Sequence, residues 1–385
     1  MGRTFGTTSP DATGASASAP RAYHYELDVL RCFGFLGVFV HHSFPHDPAF
    51  YAAMCVPAAA ARLISGVGMM GALGVDLFFL LSAYLVTTSF LHEKSRTGTL
   101  NVRSFYGRRA LRIWPLYFAF LAFAASMQWW VPGQHIGWGA GLAFIFMLGN
   151  WWIVFVGFPS SIIFPLWAVS VEEQFYLVWP WLARKLNKRG LMIAALVLLV
   201  TSNATRVYLA LHNTWEQRMW TNTLARLDPF AVGVLLAIAL GGKAPRLSRL
   251  ARLAMFAAGL ACYWLAANYW LIKADPLTLP RVAVGYPVAA LGACLLLLAT
   301  LSDSAPFAPR PLVYLGRISY GLYVFHVLGL MVTDFTIHHE TSSFGRYVMR
   351  NALALALAIV FATLSYYLLE KPFLRRKEKM SPATR

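Results

Sequence analysis

Charged residues are scarce in this sequence, and acidic ones are the scarcest. Asp, Glu, Lys and Arg together make up 13% of the 385 residues, whereas 58% are hydrophobic and the mean hydropathy is +0.56. Soluble domains carry about 25% charged residues, so this chain lacks the charge that a water-exposed surface needs. The composition excludes an ordinary soluble protein and predicts one that crosses a membrane several times.

Cysteine is also scarce, and its spacing excludes two common kinds of site. The four cysteines, Cys32, Cys55, Cys262 and Cys294, form no CxxC pair. The patterns of a redox motif and of a zinc knuckle are therefore missing. Three of the four lie in apolar runs, where we interpret them as packing residues. We expect no metal site.

Positive charge is in excess, since 33 Lys and Arg residues against 16 Asp and Glu residues give a net charge of +17. In a soluble protein this balance would suggest nucleic acid as a partner. Here the positive residues form short clusters between apolar runs, as in RRALR, RKLNKR and KPFLRRKEK, which is typical of cytosolic loops in membrane proteins. No basic face alternates with exposed aromatic residues. We therefore expect a lipid bilayer, and no nucleic acid, as partner.

Eleven apolar runs are long enough to cross a bilayer, for which about 20 residues are needed. They lie near 26–45, 66–91, 105–130, 138–156, 162–183, 190–211, 222–241, 252–271, 281–301, 312–335 and 347–369. If both termini are cytosolic, the Arg and Lys clusters between the other runs all fall in cytosolic loops. A single crossing by the run at 138–156 would break this alternation of cytosolic and external loops. That run either spans or is re-entrant. We predict an all-α, polytopic transmembrane bundle of about ten or eleven helices.

The predicted bundle occupies residues 25–370 as one transmembrane domain. Residues 1–24 are small and polar, which predicts a flexible cytosolic tail. Residues 371–385 predict a basic cytosolic tail. We expect a multi-pass protein of the inner (cytoplasmic) membrane.

The stretch YHYELDVLRCFGFLGVFVHHSF, residues 23–44, places charged groups inside an apolar run. On a helix with about 100° per residue, Arg31 and His42 differ by about 20° and share a face. Asp28 joins this face, whereas His41 points about 100° away. The rise of about 1.5 Å per residue puts His42 about 16 Å deeper than Arg31. Ionisable groups inside a membrane are usually functional; a structural ion pair with a buried histidine is the alternative.

Polar groups also interrupt two other apolar runs. GVDLFFLLSAYLV carries Asp76 and Ser82, for which helix packing is as plausible as a direct role. In FPLWAVSVEEQFYLVWPWLARK, Glu172 and Glu173 are adjacent and point apart on a helix, so one at most faces a given cavity. A carboxylate there can orient a histidine or bind a cation. An interfacial ion pair is the alternative.

Three further patterns have competing interpretations. Arg109 and Arg112 in SFYGRRALRIWPLY lie one turn apart and suit phosphate binding, although any membrane protein has such positive clusters. His326 in YLGRISYGLYVFHVLG is a second ionisable site or a packing histidine. GVGMMG, residues 66–71, matches GxGxxG, but no strand precedes it. We interpret its glycines as allowing close helix approach.

Six blocks in order resemble the acyltransferase-3 family of integral-membrane acyltransferases, over residues 25–376. LDVLR, with a histidine eleven residues after its Arg, resembles the first-helix signature of the family. GVDLFFLLSAYLV resembles the second-helix block, and RRALRIWPLY resembles the Arg-x-x-Arg block. LWAVSVEEQFYLVWP, LGRISYGLYVFH and EKPFLR resemble later blocks.

The resemblance implies a membrane O-acyltransferase that moves an acyl group, most often acetyl, from cytosolic acyl-CoA to a hydroxyl of a sugar. The acceptor would be a cell-envelope glycan, a glycolipid or a glycosylated metabolite such as a macrolide. Arg31, Arg109 and Arg112 would bind the phosphates of acyl-CoA. His42 would act as general base or would carry the acyl group transiently. No metal is needed for this chemistry.

The resemblance implies supporting roles for other residues. Asp28 would hold Arg31. Glu173, in preference to Glu172, would orient or charge-balance the histidine. The residues expected to contact the acceptor are Asp76, Ser82, Trp167 and His326.

A proton-coupled secondary transporter is the alternative function. About eleven spans with buried Asp, Glu and His would also suit a carrier. Against it, no paired broken helices are evident in the sequence, and the Arg-x-x-Arg block would have no purpose. The sequence leaves open the acceptor, the acyl chain length and the oligomeric state, a homodimer included.

Overall fold

The protein is helical throughout the part that the structure describes. The computed structural model describes residues 24–212, 214–270, 272–273, 275–301, 308–336 and 343–379, and every regular element in these ranges is a helix. Residues 1–23 of the expected N-terminal tail and residues 380–385 of the expected C-terminal tail lie outside them.

The α-helices follow one another along the described chain with short connections. They are α1 (Tyr25–Ser43), α2 (Pro48–Ala52), α3 (Ala58–Gly71), α4 (Gly74–Thr97), α5 (Val102–Met127), α6 (Trp138–Ile145), α7 (Gly149–Phe155), α8 (Trp167–Lys185), α9 (Lys188–Leu211), α10 (Glu216–Thr221), α11 (Asp228–Leu240), α12 (Arg249–Trp264), α13 (Tyr286–Thr300), α14 (Arg310–Arg317), α15 (Ser319–Thr336), α16 (Phe344–Ser365) and α17 (Lys371–Lys379). Short 3₁₀ segments (Phe164–Leu166, Leu224–Arg226) and π-helical segments (Leu265–Tyr269, Arg281–Gly285, Tyr366–Glu370) adjoin some of them.

Six helical segments of the described chain are long and apolar enough to cross a membrane. A seventh is obtained when α14 and α15, which meet at 78°, are taken as one broken span. The expected ten or eleven spans are therefore not confirmed. α1 and α8 have 19 residues each but carry more charge than a lipid-facing span tolerates, and α11 has only 13 residues.

The run at 138–156 forms two short helices. α6 has eight residues and α7 has seven. At about 1.5 Å per residue neither exceeds about 12 Å, against a hydrocarbon core of about 30 Å. Met147, between them, has a φ of 57°, a left-handed conformation that an α-helix cannot contain. The structure thus favours the re-entrant alternative for this run.

Glycines allow α1 to lie directly against α3 and the start of α4. A Cβ atom on Gly71 would fall on the carbonyl group of Gly37, and one on Gly74 would fall on the carbonyl group of Gly34. Such close backbone approach is what small residues provide in membrane helix pairs. The packing interpretation of GVGMMG, which contains Gly71, is confirmed, and this contact fixes α1 against the centre of the bundle.

The substitution Gly71→Ala is expected to destabilise the protein, because the added methyl group would overlap the Gly37 carbonyl. Overpacking of this kind costs about 1–3 kcal/mol, which lowers the midpoint of thermal unfolding in detergent. Gly141→Ala is the matched control, since a Cβ atom there lies 3.6 Å from the nearest atom, Ile136 Cγ2. Equal midpoints for the two variants would contradict the assigned close contact.

Candidate active site

One cavity inside the bundle is lined by three arginines, and we call it the arginine cavity. Arg31 comes from α1, and Arg109 and Arg112 come from α5. The structure thus brings together the three cations that the sequence suggested for one anion site. Its other lining residues are Val75, Phe78, Phe79, Ser82, Ile113, Ala168, Val169, Glu172, Ser319, Tyr320 and Tyr323.

The three arginines differ in how they are neutralised. Arg31 Nη1 lies 3.1 Å from Asp28 Oδ1, and Arg109 Nη2 lies 3.7 Å from Glu172 Oε1. Arg112 has no hydrogen-bond or ion-pair partner among the described residues. A guanidinium group that lines a cavity without a carboxylate partner is available to bind an anion.

A helix break presents a helix N-terminus to the same cavity. α14 ends at Arg317 and α15 begins at Ser319, with an angle of 78° between them. Ser319 and Tyr320, the first two residues of α15, line the arginine cavity. The free N–H groups of a first helical turn carry partial positive charge. This end of α15 therefore adds to the positive potential of the arginines.

The adjacent carboxylates face different surroundings, as helix geometry requires. Glu172 lines the arginine cavity and accepts hydrogen bonds from the hydroxyl groups of Ser82 and Tyr176. Glu173 Oε2 accepts a hydrogen bond of 3.4 Å from Trp114 Nε1. Glu173 was expected, in preference to Glu172, to orient the histidine. In the structure, Glu172 is the one of the two that lines the cavity. Neither carboxylate is within hydrogen-bond distance of a histidine in the described structure.

A second cavity adjoins the first, and we call it the histidine cavity. It contains His42 and Lys273 among mostly apolar and aromatic side chains. Val75 and Tyr323 line both cavities, so the two spaces meet at these side chains. The complete lining comprises Val38, His41, His42, Ala72, Val75, Phe158, Phe164, Trp167, Trp220, Lys273 and Tyr323.

His42 is accessible in the histidine cavity although it belongs to the interior of the bundle. Its Nδ1 atom lies 3.0 Å from the Val38 carbonyl oxygen and 3.2 Å from Nε2 of His326. Its Nε2 atom has no partner among the described residues. His326, expected to contact an acceptor, lines neither cavity and is 0% exposed. It contacts His42 instead.

His41 also borders the histidine cavity, although its helical position turns it away from Arg31. The sequence-based expectation that His41 faces elsewhere is therefore wrong in part. Its Nδ1 atom lies 3.0 Å from the Gly68 carbonyl oxygen of α3, and its ring stacks on His46 with centroids 4.5 Å apart. The rings of His41 and His42 have centroids 5.1 Å apart. The two neighbouring imidazoles therefore border one cavity from different sides.

Lys273 and Trp220 are lining residues that the sequence interpretation missed. Lys273 Nζ lies 4.2 Å from the centre of the Trp220 ring and 2.8 Å from Glu216 Oε1. Burial lowers the pKa of Lys273, whereas the charge of Glu216 acts in the opposite direction. Lys273 follows an apolar run in a connection without a recognisable motif, so nothing in the sequence linked it to His42.

Asp28 holds two arginines at the edge of the arginine cavity. It is 2% exposed, and its carboxylate lies 3.1 Å from Arg31 and 3.8 Å from Arg317. A Cβ atom on Gly316 would overlap the Asp28 carbonyl group, so α14 lies directly against α1 here. Asp28 does not line either cavity. Its position is that of a residue that orients Arg31.

Asp76 lies in a buried ion pair instead of a cavity wall. Its carboxylate is 2.5 Å from Arg226 Nη2, and both side chains are almost fully buried. Arg206 and Asp228 form a similar pair at 2.9 Å. Such pairs satisfy charges that would otherwise be costly inside a membrane. The structure therefore favours the structural alternative for Asp76, whereas Ser82 and Trp167 do line the cavities.

These features are those of a multi-pass membrane protein with a positively charged cavity beside an accessible histidine. The chain belongs to the acyltransferase-3 family, because the family's acyltransferase-domain model matches residues 24–370.

Curated relatives support this membership. The chain is 26% identical over 327 residues to the peptidoglycan O-acetyltransferase OatA of Listeria monocytogenes, covering 78% of this chain and 51% of that protein. It is 27% identical over 329 residues to YrhL of Bacillus subtilis, provisionally named for the same activity, covering 78% and 50%. A Staphylococcus aureus protein provisionally named an O-acetyltransferase is 25% identical over 377 residues, covering 91% and 57%.

The chain thus spans about half the length of the curated relatives that it matches. No solved structure matches it. Within the described residues, no group of three or more His, Cys, Asp and Glu side chains is placed to hold a metal ion.

Proposed function

We propose that this protein is a membrane O-acyltransferase that moves a short acyl group, acetyl above all, from acyl-CoA to a hydroxyl group of a saccharide. The observation that carries the proposal is the meeting of the two cavities at Val75 and Tyr323. One cavity suits an anionic donor, and the other presents His42 to an acceptor.

The arginine cavity has the chemistry to bind the phosphates of acyl-CoA. Arg112 has no carboxylate partner in the described structure, and Arg31 and Arg109 flank it. Planar guanidinium groups bind phosphate oxygens in pairs. The N-terminus of α15 adds N–H donors of the kind that bind anions in many proteins. The pantetheine arm of the donor would extend from here past Tyr323 toward His42.

The distance to be covered suits a long, thin donor. α1 is continuous from Tyr25 to Ser43, so Arg31 and His42 are separated by about 16 Å along the helix axis. A compact anion held by Arg31 would not reach His42, whereas the extended arm of acyl-CoA would.

His42 would act as general base on the acceptor. Its free Nε2 atom would take the proton of the acceptor hydroxyl as the oxygen attacks the thioester carbonyl. The new C–O bond forms, the C–S bond breaks, and the departing thiolate of CoA receives the proton from His42. The rival course has His42 itself carry the acyl group, which would give ping-pong kinetics.

The histidine cavity would hold the acceptor. Its lining includes Trp167, Trp220, Phe158 and Phe164, and the apolar faces of sugar rings pack well on aromatic side chains. The names of two relatives assign peptidoglycan to those proteins. We infer a saccharide of the cell envelope for this chain, with a glycolipid or a glycosylated metabolite as the other acceptors of the same chemistry.

The positive clusters support an orientation with both termini and the arginine cavity at the cytosolic face of the inner membrane. Acyl-CoA is made in the cytosol, so a donor site at that face is supplied directly. The histidine cavity would then face the other side, where envelope saccharides are found.

The test of the function uses purified protein in lipid vesicles with radiolabelled acetyl-CoA. We expect transfer of label to added saccharide, or slow hydrolysis of acetyl-CoA when no acceptor is present. Uptake driven by a proton gradient, without any use of acetyl-CoA, would establish the secondary transporter instead. Activity with longer acyl-CoA donors, and none with acetyl-CoA, would change the proposed acyl group but keep the reaction class.

The two adjacent glutamates provide an internal comparison. Glu172→Gln is expected to lower kcat/KM for the donor about 10-fold or more, because Glu172 holds Arg109 and accepts from two hydroxyl groups beside the cavity. A charge-assisted network of this kind is worth about 1.5–3 kcal/mol per bond. Glu173→Gln, the same change one residue away, is expected to alter kcat/KM for the donor less than about threefold. A larger effect at Glu173 would reverse our assignment.

A further inference from the structure

Two histidines from distant parts of the chain meet beside the histidine cavity. His326 Nε2 lies 3.2 Å from His42 Nδ1, and His326 Nδ1 lies 2.7 Å from the Tyr323 carbonyl oxygen. His326 is 0% exposed and has no carboxylate within ion-pair distance in the described structure. Neither cavity is lined by it, so it acts on a ligand only through His42.

The main-chain carbonyl groups determine which ring nitrogens carry protons. A carbonyl oxygen can only accept a hydrogen bond, so Nδ1 of His326 is the nitrogen that donates to Tyr323. In a neutral imidazole the other nitrogen, Nε2, is then an acceptor. It accepts from Nδ1 of His42, whose proton is shared with the Val38 carbonyl oxygen at 3.0 Å. Both rings are consistently protonated at Nδ1.

We propose that His326 is a positioning residue that holds His42 with its proton on Nδ1, leaving Nε2 as the nitrogen that meets the acceptor. This inference rests on the proposed function in one respect, namely that His42 is the base. The arrangement resembles the way in which an orienting carboxylate fixes the tautomer of a catalytic histidine. Here a neutral ring does so without placing an additional charge inside the membrane.

The arrangement also assists the reaction step. When His42 Nε2 takes the hydroxyl proton, the ring becomes an imidazolium whose Nδ1–H remains bound to His326 and Val38. Two acceptors on one N–H stabilise that cation. Transfer of this proton to His326 would place the charge on a ring that is 0% exposed, which burial disfavours relative to His42 at the cavity. The favoured path for the proton is therefore back through Nε2, toward the departing thiolate.

The activity test compares two amides that differ in reach. His326→Gln keeps an acceptor oxygen near the position of Nε2, whereas His326→Asn ends one methylene short and His326→Leu has no acceptor. We expect His326→Leu and His326→Asn to lower kcat about 100-fold, which is the scale of general-base assistance. The KM values for donor and acceptor should stay within about threefold of the wild-type values. The kcat of His326→Gln should be at least about 10-fold higher than that of the Leu and Asn variants. Equal kcat for folded Gln and Asn variants would overturn the proposal, as would wild-type kcat in the Leu variant.

The tautomer test requires no acyl transfer. Solid-state ¹⁵N spectra of protein labelled at the histidine ring nitrogens, in bilayers, identify His42 by subtraction of the His42→Ala spectrum. We expect a protonated Nδ1 and a bare Nε2 in the wild type and in His326→Gln, and a second population with a protonated Nε2 in His326→Leu. A protonated Nε2 in the neutral wild type would overturn the inference. The expected spectrum in a protein without transferase activity would refute the proposed function and leave this hydrogen-bond arrangement standing.

Discussion

His42→Ala is expected to lower the rate of acyl transfer about 1,000-fold, within the range that general-base groups contribute. The substitution removes the accessible Nε2 that would take the hydroxyl proton, together with the Nδ1 that contacts His326. The measurement is the transfer of label from acetyl-CoA to a saccharide by purified protein in vesicles. The amount and thermal stability of the variant must match those of the wild type.

His41→Ala is the matched control because it removes an identical side chain from the next position of α1. His41 borders the same cavity but is held by the Gly68 carbonyl and by stacking on His46. We expect a loss of less than 10-fold. Equal losses in the two variants would refute the assignment of His42 as base. Label retained on the wild-type protein after incubation with donor alone, and absent from His42→Ala, would select the acyl-histidine course.

Arg112→Ala is expected to raise KM for acetyl-CoA about 10- to 100-fold, because a charged hydrogen bond is worth about 1.5–3 kcal/mol. Arg112 is the most informative of the three arginines, since no carboxylate of the described structure lies within ion-pair distance of it. Steady-state kinetics with S-acetylpantetheine, a donor without phosphate groups, provide the decisive comparison. We expect Arg112→Ala to leave KM for that donor unchanged.

Arg108→Ala is the control for positive charge on the same helix. Arg108 contacts Ser104 and lies 4.0 Å from Glu93, and it does not line the arginine cavity. Its removal should change KM for acetyl-CoA less than about threefold. A comparable rise in KM for both variants would mean that α5 attracts the donor by general electrostatics. A rise with S-acetylpantetheine would mean that Arg112 does not bind phosphate.

Helical periodicity predicted the local relations of the site well. Asp28 and Arg31 form the ion pair that their spacing suggested, and Arg109 and Arg112 share a cavity with Arg31. Each of these relations lies within one helix or follows from the clustering of charge. The adjacent glutamates diverge as a helix requires, but which of them faces the cavity depends on how α8 packs against α4 and α5. That packing has no signature in the sequence of α8.

Contacts between distant helices escaped sequence reasoning. His42 and His326 are 284 residues apart, and only the folded bundle shows that one contacts the other. The expected span count is not confirmed, for a related reason. Apolar length identified segments, but 138–156 breaks at a left-handed residue, and α1 and α8 carry the charged groups of the site. Helices that supply functional groups are those whose composition departs most from that of a lipid-facing span.

The side chains shared by the two cavities have a consequence for the impermeability of the protein to water and protons. Val75 and Tyr323 border both spaces, and the Tyr323 hydroxyl group is fixed by a 2.7 Å hydrogen bond to the Pro165 carbonyl oxygen. On the proposed route an acyl chain passes this point, while water and protons must be kept back. On that route, a change that widens this point for a longer acyl chain would also admit water. Chain-length selectivity and impermeability would then depend on the same two side chains.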